Sequence, residues 1–161
     1  MNCTGPASPA SPASPTTWGE ADDVFDRLEG SWTLDREIAG TARMTGTAVF
    51  RRLPGGLFAY REEARVQLEN GRSHSGSQNY FYQRADGGFS VHFAEQPMRL
   101  FHAVAIVPQA GRLVGTTSHL CVADTYDSCY VFNPDGSFEV EHTVKGPRKD
   151  YVSRTVFKRL P

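Results

Sequence analysis

Runs in which apolar and polar residues alternate fill most of this chain and constrain its fold more than any other feature. In the run that begins at Ser31, the side chains of Trp32, Leu34, Arg36 and Ile38 fall on one face. A period of two is that of a β-strand, whose successive side chains point to opposite faces of a sheet. Similar runs occur near residues 44–53, 57–68, 73–84, 89–94, 98–107, 112–122, 125–132, 137–145 and 151–159.

The connections between these runs are short and rich in turn-forming residues. Pro54-Gly55-Gly56, Asn70-Gly71 and Asp86-Gly87-Gly88 are three examples. Such sequences favour tight turns between neighbouring antiparallel strands. Closure removes the two edges at which a sheet would pair with other chains. We therefore expect a closed antiparallel up-and-down β-barrel of about ten strands, an all-β fold.

The segment before the strands has a different composition. Residues 3–17 read CTGPASPASPASPTT and have almost nothing to bury. Such a segment cannot offset the entropy lost on ordering, so we expect a disordered tail over 1–17 and one barrel domain over 18–161.

A short helix is predicted between the tail and the first strand. Thr17 and Glu20 have the spacing of a capping box, which favours a helix over Glu20 to Leu28. Val24 and Phe25 fall with Leu28 on one face of that helix. Since one helix of this length cannot form a core, its predicted role is a plug or lid for the barrel.

Charge and cysteine content narrow the class of protein. With 17 basic and 18 acidic residues, the 161-residue chain has a formal net charge of −1, so nucleic acid and acidic membranes are not expected partners. Its apolar stretches fall short of the roughly 20 residues that span a bilayer, and we expect no export signal. The odd set of Cys3, Cys121 and Cys129 favours thiols in a cytoplasmic protein over a disulfide framework.

Four polar residues interrupt the apolar faces of the predicted strands. Arg36 and Glu62 lie among apolar neighbours, His102 is expected to share a face with Leu100, and His119 shares one with Cys121. A buried charge is costly unless it is paired. Either Arg36 and Glu62 form an internal salt bridge beside hydrogen-bonded core histidines, or these groups line a pocket and orient a polar or anionic ligand.

The segment from His119 to Tyr126 is dense in reactive side chains. His119 and Cys121 point the same way, as a thiolate–imidazole pair or half of a metal site requires, and Asp124 follows. Because the sequence contains no second chelating pair, we predict no metal. An enzyme that uses His119, Cys121 and Asp124 on a small molecule is the alternative to a binding protein.

Two adjacent cations precede the last predicted strand. Gly146-Pro147 forces an irregular connection, and Arg148 and Lys149 follow it. A rigid turn that presents two cations suits a carboxylate or phosphate clamp. A solvated turn in which Asp150 caps its own backbone is the other interpretation.

The order of these motifs resembles a family of unknown function with a calycin-like barrel. The motifs are Gly30-Ser31-Trp32 with Arg36, Phe101-His102, His119 to Tyr126, Gly146 to Tyr151, and Phe157-Lys158-Arg159. In calycins, the superfamily of lipocalins and fatty-acid-binding proteins, the Trp closes one barrel end and packs near a late Arg. That resemblance implies that Arg154 or Arg159 plays this part here. It implies a fold and strengthens the pocket interpretation of the motif residues, but it supplies no reaction.

The expected function is the binding of a small, partly apolar, anionic ligand in the barrel interior. The residues predicted to bind it are Trp32, Arg36, His102, His119, Cys121, Asp124, Tyr126, Arg148, Lys149 and Tyr151. Trp32 is also expected to form part of the aromatic wall, together with Tyr60, Tyr80, Tyr82, Phe101 and Tyr130. No cofactor is predicted. Heme is a secondary possibility, since the chain is also similar to heme-binding barrels such as nitrobindin but lacks their Tyr-Pro-Thr element.

Overall fold

The fold is known from a computed structural model that describes residues 17–161, with the side chain of Cys121 excepted. The predicted disordered tail over 1–17 lies, but for its last residue, outside the described residues. A 3₁₀ turn (Ala21–Asp23) and the one-turn helix α1 (Val24–Arg27) come first. The strands are β1 (Gly30–Ile38), β2 (Ala42–Leu53), β3 (Leu57–Leu68), β4 (Ser73–Ala85), β5 (Gly88–Phe93), β6 (Arg99–Gln109), β7 (Arg112–Cys121), β8 (Asp124–Phe132), β9 (Phe138–Lys145) and β10 (Asp150–Arg159).

The strands form a closed antiparallel barrel. Each strand pairs with the next in sequence, and β1 closes the barrel by pairing with β10. The predicted fold class is therefore confirmed. The alternation of residues that indicated strands also decides which side chains point inward, because one face of each strand lines the interior.

The N-terminal helix is shorter than predicted and begins differently. Glu20, not Thr17, precedes the first helical residue, and its backbone N–H donates a 2.8 Å hydrogen bond to the carboxylate of Asp23. Val24 and Phe25 are buried, as their predicted shared face requires. The ring of Phe25 stacks on Phe58 with 4.5 Å between centroids, so this segment packs into one end of the barrel.

Aromatic side chains fill that closed end. Trp18 stacks on Trp32 at 5.8 Å, and Phe138 packs edge-on against Trp32 at 4.9 Å. The guanidinium carbon of Arg159 lies 4.2 Å from the Trp32 ring centroid. Arg159 is thus the late arginine that the calycin resemblance implies, whereas Arg154 forms an ion pair with Glu139.

The wall is irregular where β6 meets its two neighbours. The register between β5 and β6 shifts at Val91 and His92, which leaves Phe101 as an extra residue. A bulge of this kind reverses the alternation beyond it. Phe101 and His102 are therefore both buried, whereas Leu100 is 51 % exposed. The prediction that Leu100 shares the face of His102 is wrong for this reason.

Strands β6 and β7 separate toward the end of the barrel opposite the helix. Their pairing joins Ala105–Gln109 to Arg112–Thr116 and does not continue into the rest of either strand within the described chain. Residues 99–104 and 117–121 therefore pair only with the other neighbours, β5 and β8. We call this gap the seam. His102 and His119 lie on its two sides.

None of the helices between residues 17 and 161 has the length and apolarity that crossing a membrane requires.

Candidate functional site

The barrel encloses a cavity of about 220 Å³ between its aromatic closed end and its open end. Inward positions of most strands contribute to its lining. Of the six residues predicted as aromatic wall, all but Trp32 line it, namely Tyr60, Tyr80, Tyr82, Phe101 and Tyr130. Tyrosine is therefore the commonest residue of the lining, and phenol hydroxyls are its commonest polar groups.

An ion pair lies in the cavity wall. Nη1 and Nη2 of Arg36 lie 2.7 and 2.9 Å from the two carboxylate oxygens of Glu62. Nε of Arg36 donates to Thr155 at 2.7 Å, and the hydroxyl of Tyr60 donates to Glu62 at 2.5 Å. The pair is therefore the internal salt bridge of the first interpretation, and it also lines the cavity.

This geometry fixes the charge of the pair. Burial alone would lower the pKa of Arg36, but the hydrogen bonds and charge of Glu62 raise it above its ordinary value. Burial, and after it the charge of the same carboxylate, raises the pKa of Tyr60. The cation and anion remain side by side, so this part of the wall has no net charge.

His102 lines the cavity and is 3 % exposed. Its Nε2 lies 2.7 Å from the hydroxyl oxygen of Tyr130. Its Nδ1 is buried and has no hydrogen-bond partner among residues 17–161. Burial, with smaller contributions from His142 and His119, lowers the pKa of His102 to about 3. The imidazole is therefore neutral near pH 7.

His142 is a second cavity histidine, and our sequence analysis missed it. It lies on β9 between the buried Val140 and Val144, and its Nδ1 is 2.6 Å from the hydroxyl oxygen of Ser128. Burial and the charge of Arg36 lower its pKa to about 4. The alternation of residues along β9 is the signal that places this side chain inward.

Among the other predicted site residues, Tyr126 and Tyr151 line the cavity near its open end. His119 does not. Its ring stacks on Phe101 with 5.3 Å between centroids, and its buried Nε2 has no partner in the described part of the chain. Phe101 therefore separates His119 from the cavity.

The predicted cationic clamp lies at the rim. Nζ of Lys149 is 3.0 Å from Oδ2 of Asp124 and donates a 3.0 Å hydrogen bond to the hydroxyl of Tyr126. These contacts raise the pKa of Lys149. Arg148 is exposed, and neither cation lines the cavity. The turn thus braces Tyr126 through Lys149 and holds no charge inside the barrel.

Trp32 and Cys129 do not line the cavity, and Cys3 and the side chain of Cys121 lie outside the described part of the chain. Trp32 is fully buried in the closed end, where Nε1 donates to the carbonyl of Leu28 at 2.9 Å. Cys129 is buried and disulfide-bonded, so the prediction of thiols is wrong for it. Among the described side chains, no three His, Cys, Asp or Glu residues are placed to hold a metal ion.

The fold and the interior cavity define a calycin-like barrel. The profile of DUF6314, a family of unknown function, matches residues 28–159, and the chain belongs to this family. None of the curated proteins matches it. Among solved structures, the chain is similar to the S-type phycobiliprotein lyase CPES from Guillardia theta, with a TM-score of 0.53 and 12 % identity. That match covers 88 % of this chain and 93 % of the lyase chain, and it shows a shared fold.

Proposed function

We propose that the chain is a binding protein that holds a small organic molecule inside its barrel. The observation that carries this proposal is the aromatic cavity of about 220 Å³ in a barrel whose other end is closed. Sites for drug-sized molecules measure about 300–1,000 Å³. This cavity therefore suits a molecule of one or two rings and is small for a tetrapyrrole such as heme.

The charges of the lining favour an uncharged ligand. Glu62 neutralises Arg36, and burial keeps His102 and His142 neutral near pH 7. An anion in the cavity would have no unpaired cation to meet among the lining residues that the structure describes. Because an unpaired charge is costly in an apolar interior, we propose a neutral ligand in place of the anionic one expected from the sequence.

The contacts at the rim give less support to an enzyme. His119 is covered by Phe101, and Asp124 is paired with Lys149. Neither side chain lines the cavity. The similarity to a phycobiliprotein lyase concerns the barrel fold, which can contain an interior site. The binding proposal itself rests on the cavity.

Calorimetric titration of the full chain with 2-naphthol and with indole tests the proposal. Both probes are planar, neutral and small enough for the cavity. We expect saturable binding at one site. Val140→Phe adds a ring at a cavity-lining position and is expected to weaken binding at least tenfold.

Val152→Phe is the matched control, because it makes the same change on the outer, exposed face of β10. It is expected to leave binding unchanged. Failure of both probes to bind, or equal binding by the two variants, would overturn the proposal. Native mass spectrometry of the protein from its own source would then give the mass of any retained molecule.

A further inference from the structure

We infer that a disulfide between Cys3 and Cys129 holds residues 3–16 against the outer face of β7 and β8, as a strap that thiol–disulfide exchange closes and opens. The strap lies outside the barrel, so it is independent of the proposed interior site. The bond at Cys129, the burial of the surface around it and the position of Thr17 support this assignment.

The strand register excludes Cys121 as the partner of Cys129. Cys129 is disulfide-bonded, and the chain has two other cysteines, Cys3 and Cys121. In the pairing of β7 with β8, Cys129 lies opposite Thr116, and Cys121 lies opposite Asp124. The stretch of β7 from residue 116 to residue 121 is about 17 Å long, whereas a disulfide joins Cα atoms about 4.4–6.8 Å apart. The remaining partner within the chain is Cys3.

The surface around Cys129 is buried although it faces outward. Tyr130 lines the cavity, so its neighbours Cys129 and Val131 lie on the outer face of β8. Val131 pairs with Val114 of β7, and Val114, Cys129 and Val131 form an apolar cluster separate from the main core. We call this cluster the outer patch. Its residues are only 2 % (Val114), 4 % (Cys129) and 9 % (Val131) exposed.

Outward valines elsewhere on the barrel are far more exposed. Val49, Val107 and Val152 lie on the outer faces of β2, β6 and β10 and are 41, 54 and 38 % exposed. The outer patch therefore has a cover beyond its own sheet. Within residues 17–161, the two helical turns pack at the closed end, mainly against β5 and β6. A bond from Cys3 would bring residues 3–16 over the outer patch.

The described chain begins beside the same strand. The hydroxyl of Thr17 donates a 2.9 Å hydrogen bond to the carbonyl of Pro134, just beyond the end of β8 at Phe132. Cys129 is near that end of β8, so about 15 Å separates it from Pro134 at the rise of a strand. The chain from residue 3 to residue 17 can span up to about 45 Å when extended. It therefore reaches Cys129 without any change in the barrel.

Thiol–disulfide exchange with a small disulfide, such as oxidised glutathione, closes the strap. The thiolate of Cys3 attacks one sulfur of the glutathione disulfide, which releases one glutathione and leaves a mixed disulfide. Cys129 then loses its proton, and its sulfur displaces the second glutathione. Two protein thiols are thereby oxidised, and one glutathione disulfide is reduced to two thiols. An excess of a reducing thiol reverses both steps and releases the strap from Cys129.

Disulfide mapping of the full chain tests the partner of Cys129. The purified protein is incubated with oxidised glutathione, its remaining thiols are alkylated, and it is cleaved before aspartate without reduction. Cleavage at Asp124 and Asp127 separates Cys121 from Cys129. We expect the peptide that contains Cys3 to be linked to the peptide that contains Cys129, with Cys121 in neither link. A bond between Cys121 and Cys129, a bond between two copies of the chain, or no bond at Cys129 would overturn the inference.

Thermal unfolding measures the effect of the strap. Residue 3 lies outside the barrel strands, so Cys3→Ser removes the bond and leaves the packing of the barrel intact. We expect its Tm to be about 5 °C or more below that of the oxidised unmodified protein, because the disulfide restricts the unfolded chain. Addition of a reducing agent should lower the Tm of the unmodified protein to that of Cys3→Ser and leave the variant unchanged.

Cys121→Ser is the matched control. It should keep the Tm of the oxidised protein and its response to reduction. If Cys3→Ser has the Tm of the oxidised protein, or if Cys121→Ser no longer responds to reduction, the inference is wrong. The proposed interior site stands in either case, since the binding of 2-naphthol is measured separately.

Discussion

The imidazole rings of His102 and His142 lie with their centroids 6.3 Å apart inside the barrel, at an angle of 39°. Burial is the main cause that lowers the pKa of each, to about 3 for His102 and about 4 for His142. Two charged imidazoles at this separation would repel each other in an interior that also contains Arg36. Protonation of either ring therefore destabilises the folded state. For this reason the free energy of unfolding is expected to depend on pH.

We expect the free energy of unfolding to fall as the pH decreases below about 6.5, the ordinary pKa of histidine. Between that pH and about 4, an unfolded chain binds protons at His102 and His142 that the folded chain does not bind. Stability rises with pH wherever the unfolded state holds more protons, with a slope of up to about 1.4 kcal/mol per pH unit for each such group. Urea denaturation between pH 7 and pH 4.5 measures the slope.

Two variants identify the source of this slope. His102→Gln combined with His142→Gln removes both titrating rings, so the curve is expected to flatten. His74→Gln changes a histidine that is exposed on β4 and should leave the slope as it was. An unchanged slope in the double variant would show that other groups cause the pH dependence.

The Arg36–Glu62 pair is expected to give opposite results for single and double substitutions. Arg36→Met leaves the carboxylate of Glu62, with 6 % of its side chain exposed, without its cation. Breaking such a pair costs about 3 kcal/mol or more. The double variant Arg36→Met with Glu62→Leu removes both charges, so it should recover most of that loss. Denaturation midpoints of the three proteins measure both effects.

An exposed ion pair between β1 and β2 supplies the control. Arg43 and Asp35 lie 2.8 Å apart with more than half of each side chain exposed. Arg43→Met should therefore change the free energy of unfolding by less than about 1 kcal/mol. A double variant at Arg36 and Glu62 no more stable than the worse single variant would contradict the argument.

Most of the fold was predictable from the sequence because two local signals agree. The alternation of residues indicates strands, and the Gly-, Pro- and Asn-rich connections indicate turns. β3 begins and ends at the predicted residues, and β6 differs by one or two residues at its ends. The inward positions of Tyr60 and Tyr82 followed from the same alternation.

The rest depends on interactions that local patterns do not contain. The bulge at Phe101 adds one residue, and nothing in the alternation of β6 marks where it falls. The bond between His102 and Tyr130 joins strands that are not neighbours in the sheet, so only closure of the barrel brings them together. Lys149 was predicted to face a ligand, but Asp124 lies across the rim and pairs with it.

Arg159 is expected to stabilise the closed end through the planar geometry of its guanidinium as well as through its charge. Its guanidinium lies over Trp32 and donates to the backbone carbonyls of Glu29, at 2.9 Å, and Arg27. Arg159→Met should lower the free energy of unfolding by about 2 kcal/mol, because it removes the cation–π contact and leaves carbonyl groups unpaired. Thermal unfolding measures the loss as a lower Tm.

A lysine at the same position tests the geometric part of this argument. Arg159→Lys keeps the charge, but a single ammonium group cannot stack on the indole and reach both carbonyls. It should recover less than half of the loss. Arg154→Met, which breaks an ion pair with Glu139, is the matched control and should cost under about 1 kcal/mol. Full recovery by lysine would show that charge alone accounts for the effect.

The seam between β6 and β7 is expected to exchange its amide hydrogens faster than the rest of these strands. Residues 112–116 of β7 have paired strands on both sides, whereas residues 117–121 pair, within residues 17–161, only with β8. Alternate amides of an antiparallel strand point to each neighbour, so about half of those in 117–121 point into the seam, where the described strands offer them no backbone acceptor. Amides in such sites open at little free-energy cost, and we expect exchange about 100-fold faster than for the paired amides of 112–116.

Hydrogen exchange followed by NMR resolves single amides, and the paired half of the same strand is the internal control. Uniform protection from residue 112 to residue 121 would show that the two strands remain joined in solution along their whole length.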